Sequence, residues 1–159
     1  MKKLLLVILG ASLGMLSACG EGTSPDNQAT VLQFSQHGAI EDQSEEYYHN
    51  QADFQAEWNK LYANESSKPA LPNVDFTKNT VVVYTIGQQK HGGYQIRVLR
   101  ALPIQNGYAV GFQVTVPGLG CHNETQETTK PFIVITVPTT QDITFDEVNK
   151  REQPSCTAK

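Results

Sequence analysis

Hydrophobic positions recur at helical spacing in one part of the chain and at strand spacing in several others. A stripe of large apolar side chains at offsets of 0, 4, 7 and 8 indicates one face of a helix. Asn50 precedes this stripe as a suitable N-cap, so the pattern predicts an amphipathic helix over residues 51–63, with Trp58 in the core. The stripe consists of Phe54, Trp58, Leu61 and Tyr62.

Several other segments have the composition of β-strands, because they are rich in β-branched and aromatic residues. Residues 81–86 form an almost continuous apolar run, which predicts a strand buried on both faces. Residues 108–116 alternate between apolar and small or polar side chains, which predicts one solvent-exposed face. The predicted strands are 31–35, 81–86, 94–102, 108–116 and 132–137, with a short last piece at 143–145.

These elements predict an α+β domain, with a mainly antiparallel sheet of about five strands and the helix packed on one face. Gln88 to Gly93 is suited to a hairpin connection, and Asn106-Gly107 is a second turn signal. The acidic stretch 41–46 is interpreted as a solvent-exposed loop or face. The polar residues 149–159 are interpreted as a frayed tail.

The N-terminus has the pattern of a bacterial lipoprotein signal. Lys2 and Lys3 precede a short uncharged stretch, which is typical of a secretory signal and shorter than the roughly 20 residues of a membrane span. Residues 16–19, Leu-Ser-Ala-Cys, resemble the lipobox, in which the cysteine is acylated and becomes the first residue. We therefore expect Cys19 to anchor the chain in a lipid bilayer of the cell envelope.

The predicted organisation is a signal peptide at 1–18, a lipidated flexible tether at 19–30 and a single domain at 31–159. The tether contains almost nothing that could enter a hydrophobic core. Gly20 follows the lipidated cysteine, and a residue other than aspartate there is typical of sorting to the outer membrane, if the host has one. The domain is then expected in the periplasm or at the cell surface.

Net charge argues against nucleic acid as a partner. The whole chain has a formal charge of −4, which becomes −6 without Lys2 and Lys3. No cluster of lysine or arginine provides a basic patch for phosphates.

Two cysteines remain in the predicted domain, and an envelope compartment permits disulfides. A bond between Cys121 and Cys156 would fasten the polar tail to the domain. Two free thiols, or a metal site that includes His122, are the alternatives. The spacing does not match a usual zinc motif.

Order and spacing of several short motifs resemble the C-terminal domain family of the protease complex subunit PrcB, which is common in bacterial lipoproteins. The resemblance covers residues 31–145, and His91 stands where that family usually has threonine. It implies an accessory, non-catalytic protein associated with a protease. The motifs are the helix with Phe54 and Trp58, Asp75-Phe76-Thr77 before the strand 81–84, Gly92-Gly93-Tyr94-Gln95-Ile96, and Thr129-Lys130-Pro131-Phe132-Ile133-Val134.

Residue types needed for common enzyme chemistries do not form recognisable motifs. There is no G-x-S-x-G elbow, no H-E-x-x-H motif and no glycine-rich phosphate loop. The histidines are scattered singly, and His91 with His122 is a weak candidate for copper or zinc. The sequence therefore predicts no enzyme, no catalytic residue and no cofactor.

A lipid-anchored module that binds an extracytoplasmic protein, such as a protease, is the leading interpretation. The partner would be stabilised, positioned or inhibited at the loops 88–93 and 117–130. A small-ligand or metal-binding envelope lipoprotein is the alternative. The candidate contact residues are His91, Gly92, Gly93, Tyr94, Leu119, Pro131 and Phe132.

Overall fold

One helix and eight strands form the domain in the computed structural model, which describes residues 27–121 and 124–156. The predicted α+β class is confirmed. The single sheet of about five strands is wrong, because the strands form two sheets of four. The elements are β1 (Thr30–Ser35), β2 (Gln43–Tyr48), α1 (Gln51–Leu61), β3 (Thr80–Ile86), β4 (Gln95–Ile104), β5 (Gly107–Val116), β6 (Phe132–Val137), β7 (Ile143–Phe145) and β8 (Asn149–Glu152).

Three layers make up the domain. The first sheet has the order β1-β6-β3-β2 and is antiparallel throughout. Helix α1 covers one of its faces, and the second sheet packs against the other. Strand β3 is buried along its whole length, as its apolar run predicts, because it lies inside the first sheet between these two layers. The hydrophobic core is therefore divided into two clusters, one on each side of the first sheet.

The predicted helical stripe is confirmed as the face that α1 buries. Phe54, Trp58, Leu61 and Tyr62 pack with the outward-facing side chains of β3 and β6. The Asn50 side-chain oxygen accepts a hydrogen bond from the Asp53 backbone N–H at 2.9 Å, so the predicted N-cap forms.

Strand β5 is at the centre of the second sheet. It forms a hairpin with β4 through the turn residues Gln105 and Asn106, and β7 and β8 both pair with its other edge in parallel. The C-terminal tail was expected to be frayed, but its residues 149–152 are β8. All four of these side chains are exposed, so the strand has no apolar pattern that sequence analysis could detect.

The outer face of β5 is also buried, which corrects the prediction of a solvent-exposed face. The Arg100–Asp146 ion pair, at 3.1 Å, lies over Gly111, where an added Cβ would be 3.0 Å from an Asp146 carboxylate oxygen. The Gln113 amide donates to the Asn149 side-chain oxygen at 2.9 Å. Polar side chains from the neighbouring segments therefore cover a face that the alternating pattern predicted to be exposed to solvent.

One connection also differs from the sequence prediction. Residues 88–93 do not close a hairpin, because β3 and β4 belong to different sheets and the segment crosses between them. The acidic stretch was interpreted as a solvent-exposed loop or face, and most of it belongs to β2. This strand lies at the edge of its sheet and pairs only with β3, which leaves Glu45 and Glu46 partly accessible to water.

Residues 27–30 belong to the domain, although the sequence analysis assigned them to the tether. The Gln28 backbone N–H donates to the Ala101 carbonyl at 3.0 Å, and β1 begins at Thr30. The signal peptide, Cys19, the rest of the tether and His122 lie outside the described residues. Within the described part of the chain, no helix has the length and apolar character needed to cross a membrane.

Candidate functional site

The two loops that the sequence analysis singled out are joined to each other. Gln89 and Thr129 exchange two backbone hydrogen bonds, at 2.7 and 3.0 Å. The Gly92 N–H donates to the Thr125 carbonyl at 3.0 Å, and the Thr129 hydroxyl donates to the His91 carbonyl at 2.9 Å. Residues 88–93 and 125–130 are thus joined by hydrogen bonds into one surface at the end of the sandwich.

Both glycines of the pair are required by this arrangement. Gly93 has a φ of 93°, a left-handed conformation that favours glycine. Gly92 is needed for a different reason, because an added Cβ would lie 2.3 Å from the Thr125 hydroxyl oxygen. The pair lets the two loops approach closely, and its backbone is engaged within the domain.

Most of the predicted contact residues are packed inside the domain. Phe132 is fully buried in β6, and Pro131 is buried beside it. Tyr94 is 8% exposed and stacks on the half-buried His91 ring, with the ring centroids 5.3 Å apart. Leu119, at 65% exposure, is the predicted apolar anchor that reaches solvent.

Cys121 and Cys156 form a disulfide, with their Cα atoms 4.7 Å apart. Backbone hydrogen bonds run alongside it, since the Cys156 N–H donates to the Leu119 carbonyl at 3.0 Å and the Gln153 N–H donates to Val116 at the same distance. Free thiols and a cysteine metal site do not fit this geometry. The bond fastens the segment after β8 to the loop after β5.

Metal binding has no cluster of ligands in the described residues. No three His, Cys, Asp or Glu side chains within 27–121 and 124–156 are placed to hold one ion. His91 packs on Tyr94, and the proposed second ligand, His122, lies outside the described residues.

Glu57 is the one carboxylate that is buried in the described part of the chain, at 4% exposure. Its carboxylate accepts a hydrogen bond from the Lys60 ammonium at 2.9 Å. Burial and the nearby Glu57 carboxylate raise the pKa of the Tyr48 hydroxyl, so that this hydroxyl stays protonated. The buried charge is therefore compensated within the interface of α1 with β2.

A largely apolar opening on the surface was not predicted. It is a groove of about 580 Å³ between β1 and β4, which are the edge strands of the two sheets on the same side of the sandwich. Val31 and Phe34 line it on β1 and are 54% and 37% exposed. The β1–β4 groove, as we call it, is lined by Asn27, Ala29, Val31, Phe34, Gln95, Ile96, Arg97, Val98 and Ile133.

Hydrogen bonds close the β1–β4 groove at both ends. At one end, the Asn27 side-chain amide donates to the Val98 carbonyl at 3.3 Å. At the other end, the Gln36 side-chain amide donates to the Tyr94 carbonyl. Between these bonds, β1 and β4 have no β-strand pairing with each other. The groove is therefore an opening between two sheet edges, with one of these hydrogen bonds at each end.

Sequence analysis could not find this groove, because it depends on which strands lie at the sheet edges. Val31 and Phe34 have the composition of an ordinary strand, and only the order β1-β6-β3-β2 leaves them without a covering layer. No protein-family model, curated protein or solved structure matches this chain, so no family assignment accompanies the geometry.

Proposed function

We propose that this protein is a non-catalytic, lipid-anchored module of the cell envelope that binds an extended segment of a partner protein in the β1–β4 groove. The observation that carries the proposal is the pair of open sheet edges with apolar side chains between them. The motif resemblance nominates an extracytoplasmic protease as the partner, which the module would stabilise, position or inhibit.

An extended peptide fits the chemistry of the groove. A strand that presents unpaired N–H and C=O groups offers main-chain hydrogen bonds to an added strand, and flanking pockets select alternate side chains. On the β1 side the groove offers Val31 and Phe34, and on the β4 side it offers Ile96 and Val98. An apolar residue at every second position of the partner segment would cover these side chains.

The predicted anchor would keep the groove close to the membrane. Seven residues lie between Cys19 and Asn27, which lines the groove. The eight steps from Cys19 to Asn27 span at most about 28 Å in an extended chain. A segment bound in the groove would thus belong to a protein that is itself near the membrane surface.

Site-specific crosslinking in intact cells tests the proposed contact. A photoreactive amino acid at Arg97, an exposed residue that lines the groove, is expected to capture one protein reproducibly. The same probe at Gln55, on the exposed face of α1, is the control position and is expected to capture none.

A charge in the groove should weaken this contact. Val31→Asp removes apolar contact area and buries a carboxylate in the complex, so we expect about a tenfold lower yield of the Arg97 adduct. Thr144→Asp adds the same charge to an exposed position of β7 and should leave the yield unchanged. Equal yields from the two variants, or an equal adduct from Gln55, would exclude the groove as the docking site.

The anchor has its own test. In Cys19→Ser we expect a chain that retains residues 1–18 and has no acyl mass, because the acceptor thiol is lost. The double variant Cys121→Ser/Cys156→Ser should still be acylated and processed. Intact-mass spectrometry of the membrane fraction distinguishes these forms, and an unacylated wild-type chain would contradict the anchor.

A further inference from the structure

A second opening enters the sandwich on the side away from the β1–β4 groove. It is a semi-enclosed cavity of about 230 Å³ between β2 and β3 of one sheet and β5 and β8 of the other. It shares no lining residue with the groove. The inter-sheet cavity, as we call it, is lined by Gln43, Tyr84, Ile86, Gln89, Tyr94, Val114, Val116 and Lys150.

Tyr84 gives this cavity an unused hydrogen-bond donor. Its side chain is fully buried and stacks on Phe112, with the ring centroids 4.7 Å apart, yet its hydroxyl has no hydrogen-bond partner in the described part of the chain. Glu45 lies opposite Tyr84 in the β2–β3 register, and its carboxylate makes no hydrogen bond to the Tyr84 hydroxyl. Leaving a buried hydroxyl unpaired costs about 1–3 kcal/mol, which an acceptor in the cavity would recover.

Burial and the nearby Glu45 carboxylate raise the pKa of Tyr84 to about 12. The hydroxyl is therefore protonated at neutral pH and acts as a donor to any acceptor that enters the cavity.

One cation, the two glutamines Gln43 and Gln89, Tyr94 and several aliphatic side chains form the rest of the cavity. Lys150 is the only charged residue in the lining, and it makes no ion pair within the described residues. Ile86, Val114 and Val116 provide an apolar wall. The lining thus combines neutral donors, a positive charge and an apolar surface, which suit an oxygen anion on an apolar body. The Glu45 carboxylate near the Tyr84 hydroxyl opposes such an anion, so its binding depends on the Lys150 ammonium.

We propose that the inter-sheet cavity binds a small organic carboxylate, whose oxygens interact with the Tyr84 hydroxyl and the Lys150 ammonium while its apolar part lies against the β5 wall. This site is independent of the β1–β4 groove and of the partner proposed for it. It gives the module a small-ligand function in addition to protein binding.

Ordered water alone is a poorer occupant. The cavity volume is several times the roughly 30 Å³ that a water molecule takes up in the liquid, and each buried water needs two to four polar partners. Gln43, Gln89 and Lys150 offer polar partners on one side of the lining, but the valine and isoleucine side chains provide none. An occupant with an apolar part would cover this wall and still satisfy Tyr84.

Backbone-amide NMR of the full chain in detergent micelles tests the proposal, with benzoate as the carboxylate probe and benzylamine as its cationic counterpart. We expect benzoate to produce saturable shifts at Tyr84, Ile86, Val114 and Val116, and benzylamine to produce none. Tyr84→Phe and Lys150→Gln should each weaken benzoate binding by about tenfold, because each removes one polar contact.

Matched variants separate ligand binding from effects on folding. The Tyr62 hydroxyl is also buried without a partner but lies in the core cluster beneath α1, so Tyr62→Phe should leave benzoate binding unchanged. Lys78→Gln removes an exposed lysine far from the lining and should also have no effect. Equal binding of benzoate and benzylamine, or equal affinity in the Tyr84 and Tyr62 variants, would overturn the proposal, as would the absence of saturable shifts with benzoate.

Discussion

Replacing Phe132 with alanine is expected to lower the free energy of unfolding by about 3–5 kcal/mol, the range observed when a buried phenylalanine is truncated. Phe132 is fully buried, and its ring packs edge-to-face on Tyr62 with the centroids 5.5 Å apart. Truncation would leave a cavity between β6 and α1. Because small domains have only about 5–15 kcal/mol of stability, the loss is a large share of the total.

Leu119→Ala is the matched control, since Leu119 belongs to the same predicted set of contact residues but is 65% exposed. We expect its free energy of unfolding to change by no more than about 0.5 kcal/mol. Urea denaturation of both variants measures the difference. A Phe132→Ala domain with wild-type stability and lost partner capture would contradict the packing and restore the interpretation of Phe132 as an anchor.

Secondary structure was predictable wherever the pattern reports burial directly. The helical stripe corresponds to the buried face of α1, and the apolar run corresponds to β3, a strand that is covered on both faces. The pattern failed where polar side chains take part in packing. Gly111 and Gln113 have the sequence pattern of a solvent-exposed face. In the structure they are covered by Asp146 and Asn149, which lie more than 30 residues later in the chain.

The division into two sheets could not be read from local sequence. Residues 88–93 contain two glycines and connect two strands, which also describes a hairpin. What separates the alternatives is the pairing of β3 with β6, a contact between residues about 50 positions apart. Once that pairing is made, β4 must pair elsewhere, and it does so with β5.

Both proposed sites follow from this division. The β1–β4 groove and the inter-sheet cavity are openings between the two sheets, so neither exists in a single-sheet domain. Sequence analysis placed function on the loops 88–93 and 117–130, and only Gln89 of those segments reaches the cavity lining, next to Tyr94. The exposed apolar residues Val31 and Phe34 became candidates only when the edge strands were known.

Removal of the Cys121–Cys156 disulfide has the second large expected effect. The bond closes a loop between residues 35 positions apart. On the chain-entropy model, a loop of this length contributes about 4 kcal/mol by restricting the unfolded chain. We therefore expect the double variant Cys121→Ser/Cys156→Ser to unfold with a free energy lower by about that amount, measured by urea denaturation.

The same variant should also loosen the tail before the domain unfolds. Strand β8 is exposed at all four positions, so apart from the disulfide it is held by backbone pairing to β5 and by a few side-chain contacts, among them Asn149 with Gln113. Limited proteolysis should cut residues 149–156 in the double variant and in the reduced wild type, and spare them in the oxidised wild type.

Because Lys150 of β8 lines the inter-sheet cavity, the loosened tail should weaken benzoate binding while crosslinking at Arg97 persists. Free thiols at Cys121 and Cys156 in the native protein, found by alkylation and intact mass, would contradict the bond on which this coupling depends.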